Sequence, residues 1–316
     1  MLNIIFAFVS LLLTTVMIFL PWRLKIRTVT LLRKITFFLL GKFPALLKSI
    51  MKRTENNRNL LKIFDFESKK EPFESTQNEE ISLMFSGGSD STLAAIILTK
   101  QFKRIHLITF KYSAIKGVSK ANEAGAKLIN KFGPHKIVHN TINIEELFRE
   151  IYINSFWKDL KKYGLFTENI CAYCKCAMLI RLLIYNIDNK IKFAASGANK
   201  DAAPFFAAQM PEVCKYIKQK FKEYGIIYLT PVFNILRTDR ELFNLGFSSE
   251  KEKKFPNFSF DENQASCDFG MIHHIYAQGF FIPLFGRDKL VEISYNFMKD
   301  KFSNFNYHFS KYSEKK

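Results

Sequence analysis

The segment Ser86-Gly87-Gly88-Ser89-Asp90-Ser91-Thr92 gathers groups suited to one kind of chemistry. Gly87 and Gly88 carry no Cβ, so the backbone can turn sharply there and come close to a ligand. The hydroxyls of Ser86, Ser91 and Thr92 suit phosphate oxygens. Asp90 can cap a helix or orient a phosphate-bound magnesium ion. Apolar residues 81–85 (ISLMF) precede the segment and 93–98 (LAAIIL) follow it, the pattern of a strand, a turn and a helix. Free amides of the turn and the first helical turn then face outward at the carboxyl end of the strand, forming an anion nest. An ordinary corner capped by Asp90 needs neither the second glycine nor the hydroxyls. The nucleotide loop GxxxxGK followed by Ser or Thr is absent, as is the dinucleotide spacing GxGxxG.

A second group of reactive side chains is Cys171-Ala172-Tyr173-Cys174-Lys175-Cys176. Cys171 and Cys174 are three apart and can point to one side of a helix, whereas Cys176 splays away. Thiolates at that spacing suit zinc or an iron–sulfur cluster, and one CxxC can equally be a redox pair. Cys267, in 263–270 (NQASCDFG), is a distant third ligand. Three thiolates would leave one iron of a four-iron cluster open to inorganic sulfide, whereas tetrahedral zinc could add Cys267 to the three clustered thiols Cys171, Cys174 and Cys176. Cys171, Cys174 or Cys176 is also a candidate to deliver sulfur, as a persulfide or through a cluster, with Cys174 and Cys176 the catalytic candidates. Cys214, between Val213 and Ile217, reads as core. His273-His274 is either an acid–base element or one core and one surface residue.

The elements that must position these groups alternate. Strands are expected at 81–86, 104–110, 135–140, 192–197 and 226–233. Helices are expected from Asp90 to about Lys100, over 118–132, over 144–163, along the segment carrying Ala177 to Ile184, and over 205–224. Such alternation implies an α/β fold, a doubly wound parallel sheet of Rossmann-like type. Residues 239–246 suggest a short helix ending at Gly246, and 271–316 an aromatic-rich, helical or mixed region. The domain reading is therefore 1–22, 23–50, 51–78, 79–235 and 236–316, the last serving a substrate or partner.

Residues 1–22 contain no charged side chain and as a helix would span the roughly 30 Å hydrocarbon layer. They read as a transmembrane helix rather than a cleaved signal peptide, because Pro21-Trp22-Arg23 follows where small residues would be needed. Arg23, Lys25, Arg27, Arg33 and Lys34 come next, which favours a single-pass membrane protein with its catalytic part in the cytoplasm. Residues 28–50 read as an interfacial segment on an anionic membrane surface, and 51–78 as a linker. The first sixty residues hold ten Lys and Arg against Glu55 alone, half of the formal net charge of +18. The basicity is thus largely membrane-proximal, and no zinc finger or arginine-rich block argues for nucleic acid. Five cysteines are too few for a disulfide framework in 316 residues.

Ser86-Gly87-Gly88-Ser89-Asp90-Ser91 resembles the SGGxDS signature of the PP-loop ATP pyrophosphatase superfamily at every fixed position. That resemblance covers about 79–235 and implies cleavage of magnesium ATP between the α and β phosphates. Pyrophosphate would be held on the loop, and AMP would pass to a substrate oxygen. It further implies that Thr109 and Phe110, with Lys111 and Tyr112, lie where adenine and ribose sit. It places Gly197 and Asn199 beside the nucleotide, and Lys200 or Asp201 near phosphates or metal. Asp90 and Ser91 would take catalytic parts.

With the CxxC, the chain looks like sulfur-transferring members, in which Cys171, Cys174 and Cys267 would hold iron and sulfur; it is also similar to deazapurine nitrile synthases, which use zinc. The implied function is adenylation followed by sulfur transfer. The alternative is an amidotransferase or a nitrile- or amide-forming ligase using ammonia, and a further one is a membrane-bound nucleotide sensor without turnover. Acceptors of either kind would be small molecules or lipid-linked, with a sulfur or ammonia donor protein as partner; a homodimer is compatible. Asp268-Phe269-Gly270 departs from the leucine and arginine that usually follow the distal cysteine, and Cys176 is an extra thiol.

Overall fold

The computed structural model describes residues 76–164, 170–200, 207–235, 237–247, 266–267, 277 and 281–314. The expected transmembrane helix, interfacial segment and linker lie outside them, as do Asp201, His273 and His274. Five strands, β1 (Glu80–Met84), β2 (Arg104–Lys111), β4 (Ile137–Asn143), β5 (Phe193–Ser196) and β6 (Ile227–Leu229), form one parallel sheet ordered β4-β2-β1-β5-β6. A two-stranded antiparallel ladder joins β3 (Ile115–Lys116) to β7 (Ser266–Cys267).

Alternation along the strands sorts the helices onto two faces. Ile81, Leu83, Phe85, Ile105, Leu107, Phe193, Ala195 and Leu229 pack with α1 (Ser89–Thr99), α2 (Val118–Phe132) and α7 (Thr238–Asn244). Met84, Ile108, Phe110, Ala194 and Tyr228 face α3 (Glu145–Tyr152), α5 (Ile170–Asn189) and α6 (Pro211–Lys222). On that side α4 (Phe156–Tyr163), α8 (Arg287–Ser303) and α9 (Phe305–Tyr312) add an outer layer. The sheet is doubly wound, as expected.

Several boundaries differ from expectation for local reasons. The region 144–163 is two helices, with Ser155 at their junction; its single hydroxyl proton goes either to the Ile151 carbonyl or to Asp159 Oδ2 at 2.7 Å. The last strand stops at Leu229, since Pro231 has no amide to donate and Thr230–Phe233 closes a turn (Phe233 N to Thr230 O, 3.0 Å). Helix α6 starts at Pro211, a residue favoured in a first helical turn, after a 3-10 turn at Ala207–Gln209.

Nor do the described parts of 236–316 form a separate region. Helix α7 packs against α1, while α8 and α9 complete the core on the α5 side. Lys301 of α8, almost fully buried, reaches Asp159 Oδ2 at 2.5 Å and Ser155 Oγ at 2.8 Å. Beyond α9, Glu314 pairs with Arg181 of α5 at 2.5 Å.

Helix α5 is the central apolar helix, and among the described residues it is also long and apolar enough to cross a bilayer. It lies mostly buried over the sheet and is a core helix. Its direction is fixed at both ends. Lys175 touches Met84 at the carboxyl end of β1, whereas Asn186 sits at the amino end of the sheet. Fully buried Asn186 accepts from Ser82 Oγ at 2.5 Å and donates to the Ile191 and Phe193 carbonyls at 3.0 and 2.8 Å. Asn186→Leu keeps the size but orphans a hydroxyl and two carbonyls, so urea unfolding should show a loss of about 2–4 kcal/mol. A loss below about 0.5 kcal/mol would show that these bonds do not pin the helix.

Candidate active site

The strand order reverses between β1 and β5, and there the connections leave the sheet in opposite directions to open a crevice at the carboxyl edge. Met84 and Ser196 are paired across it in the last register position. The glycine loop follows β1 directly and enters α1, whose cap is Gly88. No side chain caps this helix. Asp90, expected as a possible cap, is instead the second helical residue, and its carboxylate accepts from Thr238 Oγ1 at 2.5 Å. The first-turn amides of a helix have no carbonyl one turn back, and here they open at the crevice with positive helix-dipole character.

The loop's hydroxyls also hold its shape. Ser91 Oγ donates to the Gly88 carbonyl at 3.1 Å and lies 3.3 Å from both the Ser86 amide and the Ser86 hydroxyl. Ser86 Oγ accepts from the Gly88 amide at 3.4 Å, and Thr92 Oγ1 reaches the Gly87 carbonyl at the same distance. Ser86 is exposed, Ser89 and Asp90 are half-buried, and Ser91 is buried beneath them. The surface offered to a ligand is therefore backbone with the Ser86 and Ser89 hydroxyls, while Ser91 and Thr92 brace it from below.

Two glycines are required by close approach. Gly87 has φ +78°, and a Cβ there would stand 2.9 Å from Ala121 Cα of α2. A Cβ on Gly197, after β5, would stand 2.8 Å from the Ser91 nitrogen. Thus the two carboxyl-edge loops meet backbone to backbone at the start of α1.

Thr109 and Phe110, expected near adenine and ribose, are buried. Phe110 belongs to the core on the α5 side, and Thr109 serves the loop from below. Thr109 Oγ1 is 2.8 Å from both the Phe85 carbonyl and His139 Nε2. A hydroxyl has one proton; giving it to the carbonyl assigns the donor role to His139 Nε2–H. This relay fixes the peptide from which the loop departs. Asn199, expected beside the nucleotide, is also buried: its amide donates to the Ile235 and Val232 carbonyls at 2.8 and 3.3 Å, tying the post-β5 loop to the turn after β6. Half-buried Lys200 donates its backbone amide to Phe233 O at 3.0 Å.

The cysteines separate. Cys171, half-buried, and Cys174, buried, lie in the first turns of α5, at the carboxyl edge. Cys176 faces inward and is fully buried near Tyr216, Lys301 and Asp159; burial pushes its thiol far up, away from the thiolate form that a sulfur carrier uses. Cys214 is core, as expected, its thiol pushed up to about 11 by burial. Among the described residues no three His, Cys, Asp or Glu side chains converge on a metal position. The side chain of Cys267 lies outside those residues, although its backbone pairs with Ile115, just past β2.

Thr238, His139 and Lys175 were not singled out by sequence reasoning. Thr238 and His139 carry no local signal. Lys175, an isolated charge between two cysteines on an apolar helix, did carry one.

A family of unknown function, DUF7411, matches residues 79–157, which hold the glycine loop but not the cysteines. No curated protein matches the chain. Similar solved structures include a predicted subunit of tRNA methyltransferase from Methanocaldococcus jannaschii, 21% identical over 53% of this chain and 76% of that one, TM-score 0.37. A U34-tRNA thiolase, NcsA, from Methanococcus maripaludis with its 4Fe-4S cluster is 15% identical over 81% of this chain and 78% of that one, TM-score 0.35. An NMN synthetase from Francisella tularensis is 15% identical over 81% and 95%, TM-score 0.38. Likeness at this level does not carry an activity across.

Two outcomes follow from the geometry. Gly197→Ala should keep the circular dichroism of the native chain yet weaken magnesium pyrophosphate binding at least tenfold, because the added methyl displaces the first turn of α1; unchanged binding would remove Gly197 from the site. Burial holds the His139 imidazole below its ordinary range, so the folded chain binds fewer protons there than the unfolded chain. Its contribution to stability is present above the unfolded value of about 6.5 and falls as pH drops through the window beneath it. Urea unfolding between about pH 7.5 and 5.5 should show that slope, and His139→Gln should flatten it in part, since burial lowers His308 as well. An unaltered slope in the variant would contradict the assignment.

Proposed function

We propose that the chain is an ATP pyrophosphatase-type enzyme, which binds magnesium ATP at the β1–α1 loop and transfers AMP to an acceptor oxygen with release of pyrophosphate. The observation that carries this reading is the SGGSDS turn itself. It joins the first strand to an uncapped helix at the switch point of a parallel sheet, with its shape fixed by Ser91, Thr92, Thr109 and Gly197.

In this reading an acceptor oxygen attacks the α phosphorus, the bond to the bridging oxygen breaks, and that oxygen leaves on pyrophosphate. Amides at the start of α1, with the Ser86 and Ser89 hydroxyls, receive the β and γ oxygens, where a preorganised donor set costs no reorganisation as charge develops. Asp90, held by Thr238, would hold magnesium, which would supply charge neutralisation to the phosphates. Lys200, on the facing loop, supplies positive charge to the nucleotide side. Asp201 is proposed to join it.

AMP is then displaced from the activated carbon by sulfur, with nitrogen as the second reading. Cys171 and Cys174, at the same edge as the loop, favour sulfur. With Cys267 they would hold zinc or an iron–sulfur cluster, which supplies a bound sulfide or a fixed thiolate; no step above depends on it. Residues 1–22 would anchor the enzyme, cytoplasmic side inward, near a small-molecule or lipid-linked acceptor.

The test is turnover. Full-length chain in detergent, given magnesium ATP and a metabolite extract as acceptor source, should release pyrophosphate and AMP in equal amounts and no ADP. Asp90→Asn should lower the rate at least a hundredfold while leaving the fold intact. Release of ADP and phosphate, or full activity in Asp90→Asn, would contradict the proposal.

A further inference from the structure

Lys175 lies at the carboxyl edge and has no part in this mechanism. Lys175, half-buried, projects from α5 so that its Nζ lies 3.7 Å from Met84 Sδ, at the last register pair between β1 and β5. Tyr228 Oη approaches the same sulfur at 4.0 Å from β6. Cys174 and Cys214 are its nearest titratable neighbours.

Burial holds the Lys175 amine below the ordinary lysine range, so an anionic partner would favour its charged form; as an ammonium it has three donors, and a thioether is a weak acceptor. Among the described residues no carboxylate pairs with Lys175. The fold treats its other buried lysine differently: Lys301 has Asp159 at 2.5 Å and Ser155 at 2.8 Å. A stem merely covering apolar surface would carry its head out to water. Lys175 instead brings its head to the crevice, under-satisfied.

Its position relative to the loop gives it a use. Phe85 and α1 pack on one face of the sheet, Met84 and α5 on the other. The loop and Lys175 therefore bracket the β1–β5 edge from opposite sides. Attacking and leaving oxygens lie roughly in line in phosphoryl and nucleotidyl transfer, so what faces the departing pyrophosphate sits on the Lys175 side.

We propose that Lys175 is the second anion receptor of the crevice, and that the group sharing the site with pyrophosphate meets it through an anionic oxygen, either the α phosphate of the nucleotide or a carboxylate of the acceptor. This rests on the loop being the pyrophosphate site and narrows the chemistry of its companion.

Binding of magnesium pyrophosphate, of AMP and of acetate, the last two with magnesium pyrophosphate present, is measured by calorimetry and ligand-observed NMR on the full chain, native and as Lys175→Met and Lys175→Arg. Pyrophosphate affinity should stay within twofold in all three. A loss of AMP affinity of at least tenfold in Lys175→Met, recovered in Lys175→Arg, assigns the receptor to the α phosphate. Unchanged AMP binding with loss of saturable acetate binding assigns it to an acceptor carboxylate. Equal binding of both probes by native chain and Lys175→Met, or no saturable binding of either by the native chain, overturns the inference. Absence of pyrophosphate binding in the native chain contradicts the loop reading instead. Should Lys175→Met fail to fold, acylation footprinting of the native chain decides: AMP or acetate should slow modification of Lys175 at least threefold, and no protection by either overturns the inference.

Discussion

Around Gly197 there is room for backbone and nothing else: an added Cβ would stand 2.8 Å from the Ser91 nitrogen, 2.9 Å from the Asp90 carbonyl carbon and 3.0 Å from Ser91 Cα. Gly87 is equally confined against α2. Through these contacts the loop after β1, the loop after β5 and the first turn of α1 form one backbone surface, to which Ser86 and Ser89 add hydroxyls. Preorganisation of that surface depends on the close approach, since a donor set that had to be gathered on binding would lose much of its advantage toward a multiply charged ligand.

Support for this surface comes from below and from far along the chain. His139 and Thr109 fix the peptide where the loop begins, Ser91 and Thr92 return to the glycine carbonyls, and Thr238 holds Asp90 from 148 positions away. On the other face α5 is pinned at its far end by Asn186, which sets the height at which Cys171, Cys174 and Lys175 reach the edge. Helices α8 and α9 hold α5 from outside through Lys301 and Glu314. The C-terminal segment thus acts on the crevice by positioning a helix.

What was legible in the sequence follows from which forces are local. The glycine turn, the alternation of apolar runs and the divergence of Cys176 from Cys171 and Cys174 are properties of neighbours in the chain, and each reads directly. The order of the sheet and the depth of each strand residue are settled by packing. Thr109 and Phe110 were therefore expected at a ligand and lie in the interior, and Asn199, polar and after a strand, spends its amide on two carbonyls. The tie between Thr238 and Asp90 has no local trace. The junction at Ser155 within 144–163 meets a buried lysine of α8, a contact that no local window of sequence contains.

The central claim is that the β1–α1 turn cradles the β and γ phosphates. A crystal structure of the full chain with magnesium and a non-hydrolysable ATP analogue tests it most directly. The account predicts those phosphates within hydrogen-bond distance of the loop and first-turn amides, with magnesium beside Asp90. An analogue bound elsewhere, with the turn packed against protein, would contradict it.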